Sequence, residues 1–208
     1  MVVVLLHGLR RSARSMRSLE RVISAAGFQT RAIDYPSHLH GIAALSEHVA
    51  ERLDDLRQEP LIAVTHSLGG LILRQLTGRF DWRGAVMLAP PNRGSAAATR
   101  LGRYGWFRAI WGPAASEVAS GGPWPLPPMP LRIVAGTRRV SAANPTSLLL
   151  PAFGVFGPGE AHDGTVAVAE TEYAGAELVT VDATHTWIMN HPVAQASVLE
   201  FVRKVGAG

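Results

Sequence analysis

Short runs of aliphatic residues alternate along this chain with longer amphipathic stretches, and this alternation constrains the fold more than any other feature. The pattern predicts parallel strands joined by crossover helices, because a run that is apolar throughout suits a strand buried on both faces. The sequence therefore predicts an α/β fold. Strands are predicted at residues 2–6, 31–34, 61–65, 84–89, 131–135 and 177–181.

The segments that link these strands have apolar residues at helical spacing. A chain of 208 residues can form one sizeable core, so we expect a single domain over residues 1–208. Proline suits the first turn of a helix, which favours a last helix that begins at Pro192. Helices are predicted at residues 15–26, 42–58, 68–78 and from Pro192 to about residue 204.

Two segments interrupt the alternation. Residues 90–130 contain glycine, proline and small residues around a patch of aromatic side chains. We expect this segment to leave the sheet as a lid or cap, because long connections inside a compact domain usually serve a function. The second segment, residues 136–162, has no pattern that assigns it to a helix or a strand.

The charge and cysteine content exclude several classes of protein. The formal net charge is +4, which is a weak argument for nucleic acid binding, so we expect no nucleic-acid partner. The absence of cysteine rules out disulfides, thiolate nucleophiles and cysteine metal ligands. Arg10, Arg14, Arg17 and Arg21 recur at helical spacing, and we interpret them as the solvated face of an amphipathic helix rather than as an anion-binding patch.

Signals for targeting and for bound groups are few. No apolar run approaches the roughly 18 residues of a transmembrane helix, so we expect no integral membrane association. The first residues lack the basic stretch and the long apolar core of a signal peptide, which predicts a cytoplasmic protein. Neither a metal nor a cofactor is expected, since the sequence has no ligand cluster at metal spacing and no glycine-rich phosphate loop. These features do not determine the oligomeric state.

Residues 65–70, with the sequence THSLGG, lie between a predicted strand and a predicted helix. Serine is a weak nucleophile, and it reacts when a tight strand-to-helix turn lifts it clear of the sheet beside a base. Such a turn also directs the N–H of the next residue, Leu68, toward a developing oxyanion at the positive end of the helix. The alternative is that Ser67 only caps the helix.

This segment resembles the Gly-x-Ser-x-Gly turn of the α/β-hydrolase superfamily, and specifically of its compact bacterial lipases and esterases. Gly69 matches the second glycine. Thr65 stands where the first glycine is expected and adds a β-branched side chain at the tightest point of the turn. The resemblance implies a three-layer α/β-hydrolase fold, trimmed to about six mostly parallel strands with helices on both faces.

The resemblance also implies an oxyanion hole. In this superfamily a His-Gly pair at the end of the first core strand precedes the residue whose N–H completes the hole. Here the pair is His7-Gly8 and the residue is Leu9, which would act together with Leu68. His7 itself is interpreted as a buried histidine that braces its loop through hydrogen bonds.

Two further residues complete the set that the resemblance implies. Asp163, in an Asp-Gly-x-Val setting, is expected to be the acid, although it also fits an ordinary Asp-Gly turn. His185 follows the last predicted strand and is expected to be the base. Ser67, Asp163 and His185 then occur in the Ser, Asp, His order of this fold. The alternatives within the sequence are His191 for the base and Asp182 or Glu170 for the acid.

The resemblance thus implies a serine carboxylester hydrolase that acts on small-molecule acyl esters through an acyl-enzyme. Trp106, Phe107 and Trp111 are expected to bind the substrate, together with residues 148–150, and the alternative for the aromatic patch is a helix packed on the core. Two other functions stay open. The same triad would serve a thioesterase, amidase or acyltransferase, and the same fold would serve a binding protein without turnover.

Overall fold

A computed structural model of the chain describes residues 1–140 and 154–207. Its central feature is a sheet of six strands in the order β2-β1-β3-β4-β5-β6, with every neighbouring pair parallel. All the predicted strands are present, and each predicted boundary lies within two residues of the observed one. The strands are β1 (Val2–Leu6), β2 (Gln29–Ile33), β3 (Leu61–His66), β4 (Trp82–Leu88), β5 (Leu131–Gly136) and β6 (Glu177–Val181).

The predicted helices are also present, although three of them are shorter than expected. The helix predicted at 42–58 ends at Arg52 and gives way to a 3-10 turn, since the two aspartates that follow favour turns over helix interiors. The described α-helices are α1 (Arg17–Ala25), α2 (Ile42–Arg52), α3 (Leu68–Gln75), α4 (Ala96–Leu101), α5 (Gly105–Trp111), α6 (Pro113–Ser120), α7 (Val168–Thr171) and α8 (Pro192–Gly206).

Side-chain alternation along β1 shows how the layers form. Val2, Val4 and Leu6 belong to the core cluster that includes the apolar faces of α2 and α3. Val3 and Leu5 belong to the cluster on the other face of the sheet, with α1 and α8. Successive side chains of a strand point to opposite faces, so an all-apolar strand requires helices on both sides. The predicted three-layer fold with six parallel strands is confirmed.

The segment 90–130 connects β4 to β5 outside the sheet. Its helices α4, α5 and α6 share a small apolar cluster of Ala97, Leu101, Phe107 and Ala115. The carboxylate of Glu117 accepts a hydrogen bond from the N–H of Ile42 at 3.1 Å, which ties α6 to the start of α2. Its action as a lid stays a prediction.

Two observations complete the description. In the part of the chain that the structure describes, every helix is too short or too polar to cross a membrane. Residues 148–150, which the sequence places in the substrate pocket, lie outside the described residues.

Candidate active site

Ser67 lies in the tight turn between β3 and α3. Its backbone has φ 51° and ψ −120°, in a region that residues with a Cβ atom seldom adopt. The Ser67 N–H donates to the carbonyl of Leu88 at 2.9 Å, and the N–H of Gly70 donates to the Ser67 carbonyl at 3.0 Å. These bonds hold the strained conformation, which places the hydroxyl at the carboxyl edge of the sheet.

The glycine after the turn is required by close packing. A Cβ atom on Gly69 would lie 2.7 Å from the carbonyl oxygen of Leu6 and 2.9 Å from that of His7, and both are backbone atoms that cannot easily shift. Gly69 therefore lets α3 pack directly against the end of β1. This contact brings the loop after β1 beside Ser67.

Thr65 replaces the first glycine of the motif without opening the turn. Its side chain is fully buried, and its Oγ1 has no hydrogen-bond partner. A Cβ atom on Gly70 would lie 3.4 Å from this Oγ1, an ordinary van der Waals distance. The threonine side chain is therefore accommodated in the interior of the protein, with its hydroxyl unpartnered among the described residues.

The imidazole of His185 joins Ser67 to Asp163. Its Nε2 lies 2.9 Å from the Ser67 Oγ, and its Nδ1 lies 2.7 Å from the Asp163 Oδ2. If Nδ1 carries the proton it donates to the carboxylate, and Nε2 is then free to accept from the hydroxyl. The structure therefore brings together the three side chains that the sequence selected, from loops as many as 118 residues apart.

Asp163 is held by its own turn. Its side chain is buried, and its Oδ1 accepts hydrogen bonds from the N–H groups of Thr165 at 2.9 Å and Val166 at 2.7 Å. The Asp163 carbonyl accepts from the N–H of His185 at 3.0 Å. The carboxylate thus has a set orientation and presents one oxygen to the imidazole.

Gly136, the last residue of β5, allows the acid and base loops to meet. A Cβ atom at this position would lie 2.5 Å from the carbonyl oxygen of Ala183 and 2.7 Å from the Cβ of Asp163. Any side chain here would push apart the loops that carry Asp163 and His185. Position 136 therefore contributes to the site by having no side chain.

His66 is in contact with the backbone of the proposed base, His185. Its Nε2 lies 2.9 Å from the carbonyl oxygen of His185, so this nitrogen must carry the proton and donate. Its buried Nδ1 has no partner, and its ring centroid lies 4.9 Å from that of His185. Burial and the nearby His185 hold the pKa of His66 well below its usual value, which keeps this imidazole neutral.

His7 braces the loop after β1, as the sequence predicted. Its Nδ1 lies 2.9 Å from the Gly8 carbonyl, its Nε2 accepts from the N–H of Tyr35 at 3.3 Å, and the two rings stack at 3.9 Å. Burial lowers the pKa of His7, consistent with a neutral ring. The backbone N–H of Arg10, three residues after His7, donates to the Ser37 Oγ at 2.9 Å. These bonds position the intervening Leu9.

The rival residues lie elsewhere. Asp182 is exposed, and its carboxylate binds the Arg138 guanidinium at 2.7 Å. Glu170 accepts hydrogen bonds from the N–H groups of Ala167 and of Ala96, and thereby ties two loops together. His191 stands at the N-terminus of α8. The imidazole of His185 thus contacts Asp163 rather than either of the other carboxylates.

A cavity of about 480 Å³ opens beside Ser67. Trp106, Phe107 and Trp111, the predicted substrate-binding residues, all line it, and so do Leu9 and Leu68. Phe107 is buried in the cluster formed by α4, α5 and α6, whereas Trp106 is half exposed. The aromatic patch therefore packs on its neighbours and also forms part of the cavity wall.

Comparison with solved structures gives the same architecture. A Bacillus licheniformis lipase in mature form matches with a TM-score of 0.72 and 16% identity, over 98% of this chain and 91% of its own. A metagenomic carboxyl esterase matches with a TM-score of 0.73 and 17% identity, over 100% and 76%. The chain has the α/β-hydrolase fold. The sequence-based resemblance to this superfamily is confirmed at the level of the fold.

The α/β-hydrolase fold alone does not decide the chemistry. A tomato methylketone synthase complexed with 2-tridecanone also matches, with a TM-score of 0.59 and 15% identity over 98% of both chains. A scan against models of protein families found no match, and neither did a comparison with curated protein sequences. The function must therefore be argued from the side chains of the site.

Sequence reasoning missed three residues that shape this site on the α/β-hydrolase fold. His66 and Gly136 were open to discovery, since one is a polar residue within an apolar strand and the other a glycine at a strand end. Arg11 lines the cavity beside Leu9, but in the sequence it is one of several arginines close together, which gives no such signal. Among residues 1–140 and 154–207, no three His, Asp or Glu side chains form a group able to hold a metal ion.

Proposed function

We propose that this protein hydrolyses carboxylic esters by a serine mechanism, with Ser67 as nucleophile, His185 as base and Asp163 as acid. The observation that carries the proposal is the run of hydrogen-bonding contacts from the Ser67 Oγ through both nitrogens of His185 to the Asp163 Oδ2, at 2.9 Å and 2.7 Å. A nucleophile, a base in contact with it and a group that orients the base are the parts of a serine triad.

The first step is attack by Ser67 on the ester carbonyl. The neutral His185 accepts the hydroxyl proton at Nε2 while its Nδ1–H donates to the Asp163 carboxylate. The imidazolium that forms lies against this carboxylate, which stabilises the charge. His185 then returns the proton to the leaving alcohol, and the acyl group stays on the Ser67 Oγ.

Two amides are proposed to stabilise the oxyanion. Leu68 is the first residue of α3, so its N–H has no partner within the helix and lies at the positive end of the helix dipole. Leu9 supplies the second N–H, from the loop that Gly69 brings close to Ser67. The loss of one such donor typically costs about 3 kcal/mol of transition-state stabilisation.

The second step releases the acid. A water molecule enters beside His185, which accepts its proton as the water oxygen adds to the acyl carbonyl. The bond between the acyl carbon and the Ser67 Oγ then breaks, and His185 returns the proton to this oxygen. The acyl part of the substrate is proposed to lie along the apolar wall formed by Phe107, Trp106 and Trp111. An apolar wall of this kind binds an alkyl or aryl acyl group through burial of its surface.

Covalent labelling tests the nucleophile directly. A fluorophosphonate probe should label the parent protein on the peptide that contains Ser67, and Ser67→Ala should lose the label. Ser24→Ala, which removes an exposed hydroxyl, serves as the matched control and should keep it. Absence of labelling in a folded parent protein would favour a binding protein on the same fold over an enzyme.

A panel of p-nitrophenyl esters of increasing chain length, compared with matched thioesters, tests the reaction class. We expect ester hydrolysis in the parent, no measurable hydrolysis in Ser67→Ala or His185→Ala, and parental rates in His40→Ala, which changes an exposed histidine. Circular dichroism should show that the inactive variants keep the fold. A marked preference for thioesters would redirect the assignment to a thioesterase with the same triad.

A further inference from the structure

The wall of the cavity beside Ser67 includes two arginines. Arg10 and Arg11 both line it, and no aspartate or glutamate is among the described residues of its wall. Arg10 is exposed, and its Nη1 donates to the carbonyl of Ile110 on α5. The rest of the described wall is largely aliphatic and aromatic. The two guanidinium groups are therefore its permanently charged groups.

Arg11 is held next to the proposed base. Its Nη2 donates to the carbonyl of Thr186 at 3.2 Å, and its guanidinium carbon lies 5.6 Å from the ring centroid of Trp187. A guanidinium over an indole face gains a cation–π interaction that fixes its direction. Because Thr186 directly follows His185, the charge of Arg11 lies on the same side of Ser67 as the imidazole.

Arg11 has no carboxylate beside it in the part of the chain that the structure describes. Among residues 1–140 and 154–207, several surface arginines form ion pairs, for example Arg79 with Glu47 and Arg31 with Asp55, whereas the guanidinium of Arg11 donates to a backbone carbonyl, that of Thr186. Burial lowers the pKa of Arg11, which records the cost of keeping the charge partly out of water. One of the five guanidinium N–H donors binds Thr186, and others are available to a ligand in the cavity.

We infer that Arg11 binds an anionic group, a carboxylate or a phosphate, on the alcohol part of the ester that this site cleaves. The inference rests on the proposed ester hydrolysis and narrows it to a class of substrate. The leaving oxygen receives its proton from His185, so the alcohol departs on the side where Arg11 is anchored. The acyl group is placed along the apolar wall from α4, α5 and α6, whereas Arg11 is bonded to the loop that carries His185.

The test compares four esters that differ only in the position and type of charge. These are phenyl butyrate, the butyrate esters of 4-hydroxybenzoate and of 4-hydroxyphenyl phosphate, and monophenyl succinate, which carries its carboxylate on the acyl side. We expect kcat/KM to favour one or both of the esters with an anionic alcohol. The carboxylate and phosphate members identify which anion the site prefers, and preference for monophenyl succinate would overturn the placement on the alcohol.

Variants of Arg11 separate binding of the anionic group by Arg11 from differences in the intrinsic reactivity of the esters. Arg11→Gln should lower the ratio of kcat/KM for the anionic ester to that for phenyl butyrate by about 10- to 100-fold, the size of a charge-assisted hydrogen bond. Arg11→Lys should retain part of the ratio. Arg14→Gln removes an equal charge from an exposed position three residues away and should leave the ratio unchanged.

The outcomes distinguish this inference from the proposed function. If phenyl butyrate is hydrolysed and Arg11→Gln lowers kcat/KM equally for every ester, Arg11 serves the loop of His185 and the anion-binding role is wrong. The same holds if Arg14→Gln lowers the ratio as much as Arg11→Gln does, because the effect is then one of overall charge. If no ester is hydrolysed and the fluorophosphonate leaves Ser67 unlabelled, the proposed ester hydrolysis is wrong, and with it the substrate class inferred from Arg11.

Discussion

Replacement of Asp163 by asparagine should disable the site while leaving its shape intact. The Asp163 Oδ1 accepts two backbone hydrogen bonds, from Thr165 at 2.9 Å and Val166 at 2.7 Å, whereas the Oδ2 meets a single partner, the His185 Nδ1. An asparagine in this place keeps both backbone bonds only if its carbonyl oxygen takes the Oδ1 position. Its NH₂ group then faces His185.

That orientation forces the wrong tautomer on the imidazole. The Nδ1 of His185 must accept from the amide, so the proton moves to Nε2, which then faces the Ser67 Oγ as a donor. An Nε2–H cannot take the proton from the hydroxyl. Turning the amide over would place its NH₂ against two backbone N–H groups and forfeit both bonds, each of about 1 kcal/mol. We therefore expect kcat/KM to fall by up to ~10⁴-fold, which is about 5.4 kcal/mol of transition-state stabilisation.

Hydrolysis of p-nitrophenyl butyrate measures this loss, and a thermal unfolding curve checks that the variant is folded. Asp182→Asn is the matched control, because Asp182 is an exposed aspartate bound to Arg138. It should change kcat/KM by less than about twofold, as expected for a surface ion pair. If Asp163→Asn stays within about tenfold of the parent, the tautomer argument is refuted, and Glu170 becomes the next carboxylate to replace.

Two further predictions concern stability. Gly69→Ala should lower the free energy of unfolding by about 1–3 kcal/mol, because its Cβ would lie 2.7 Å from the Leu6 carbonyl oxygen. Urea denaturation measures this loss. Gly105→Ala is the control and should show no loss, since its Cβ would meet nothing within 4 Å. Because burial holds the pKa of His66 well below that of the unfolded chain, about 6.5, only the unfolded state gains this proton as the pH falls. Stability should therefore decrease below about pH 6.5, by up to ~1.4 kcal/mol per pH unit for this group, and an undiminished slope in His66→Gln would contradict the assignment.

The agreement between sequence and structure is closest where local physical rules act. The strand at Val2–Leu6 was predicted to the residue, because an unbroken aliphatic run is stabilised by burial on both faces of a sheet. The start of the last helix at Pro192 was likewise found where proline suits the first turn. The end of the helix predicted at 42–58 was missed, since a buried leucine continues the apolar pattern past the last helical turn.

In the candidate site, too, local motifs were predictable and contacts between distant loops were not. Ser67, Asp163 and His185 were selected from motifs and chain order, and their side chains lie in hydrogen-bonding contact, while their catalytic roles stay proposals for the labelling and the kinetics. The contact between Arg11 and Thr186 joins residues 175 positions apart. No periodicity or motif predicts such a pair, because the order of strands in the sheet decides which loops become neighbours.

The sequence by itself determined the elements, the turn at Ser67 and the set of residues from which a triad could be built, because these depend on interactions between residues close in the chain. Only the tertiary structure decided which carboxylate meets His185, that Gly136 leaves space for this meeting, and that Arg11 faces the cavity with no ion pair among the described residues. These outcomes depend on the packing distances between loops that follow different strands, where a small shift creates or removes a contact. Such distances are set by the whole fold and by no local pattern of residues.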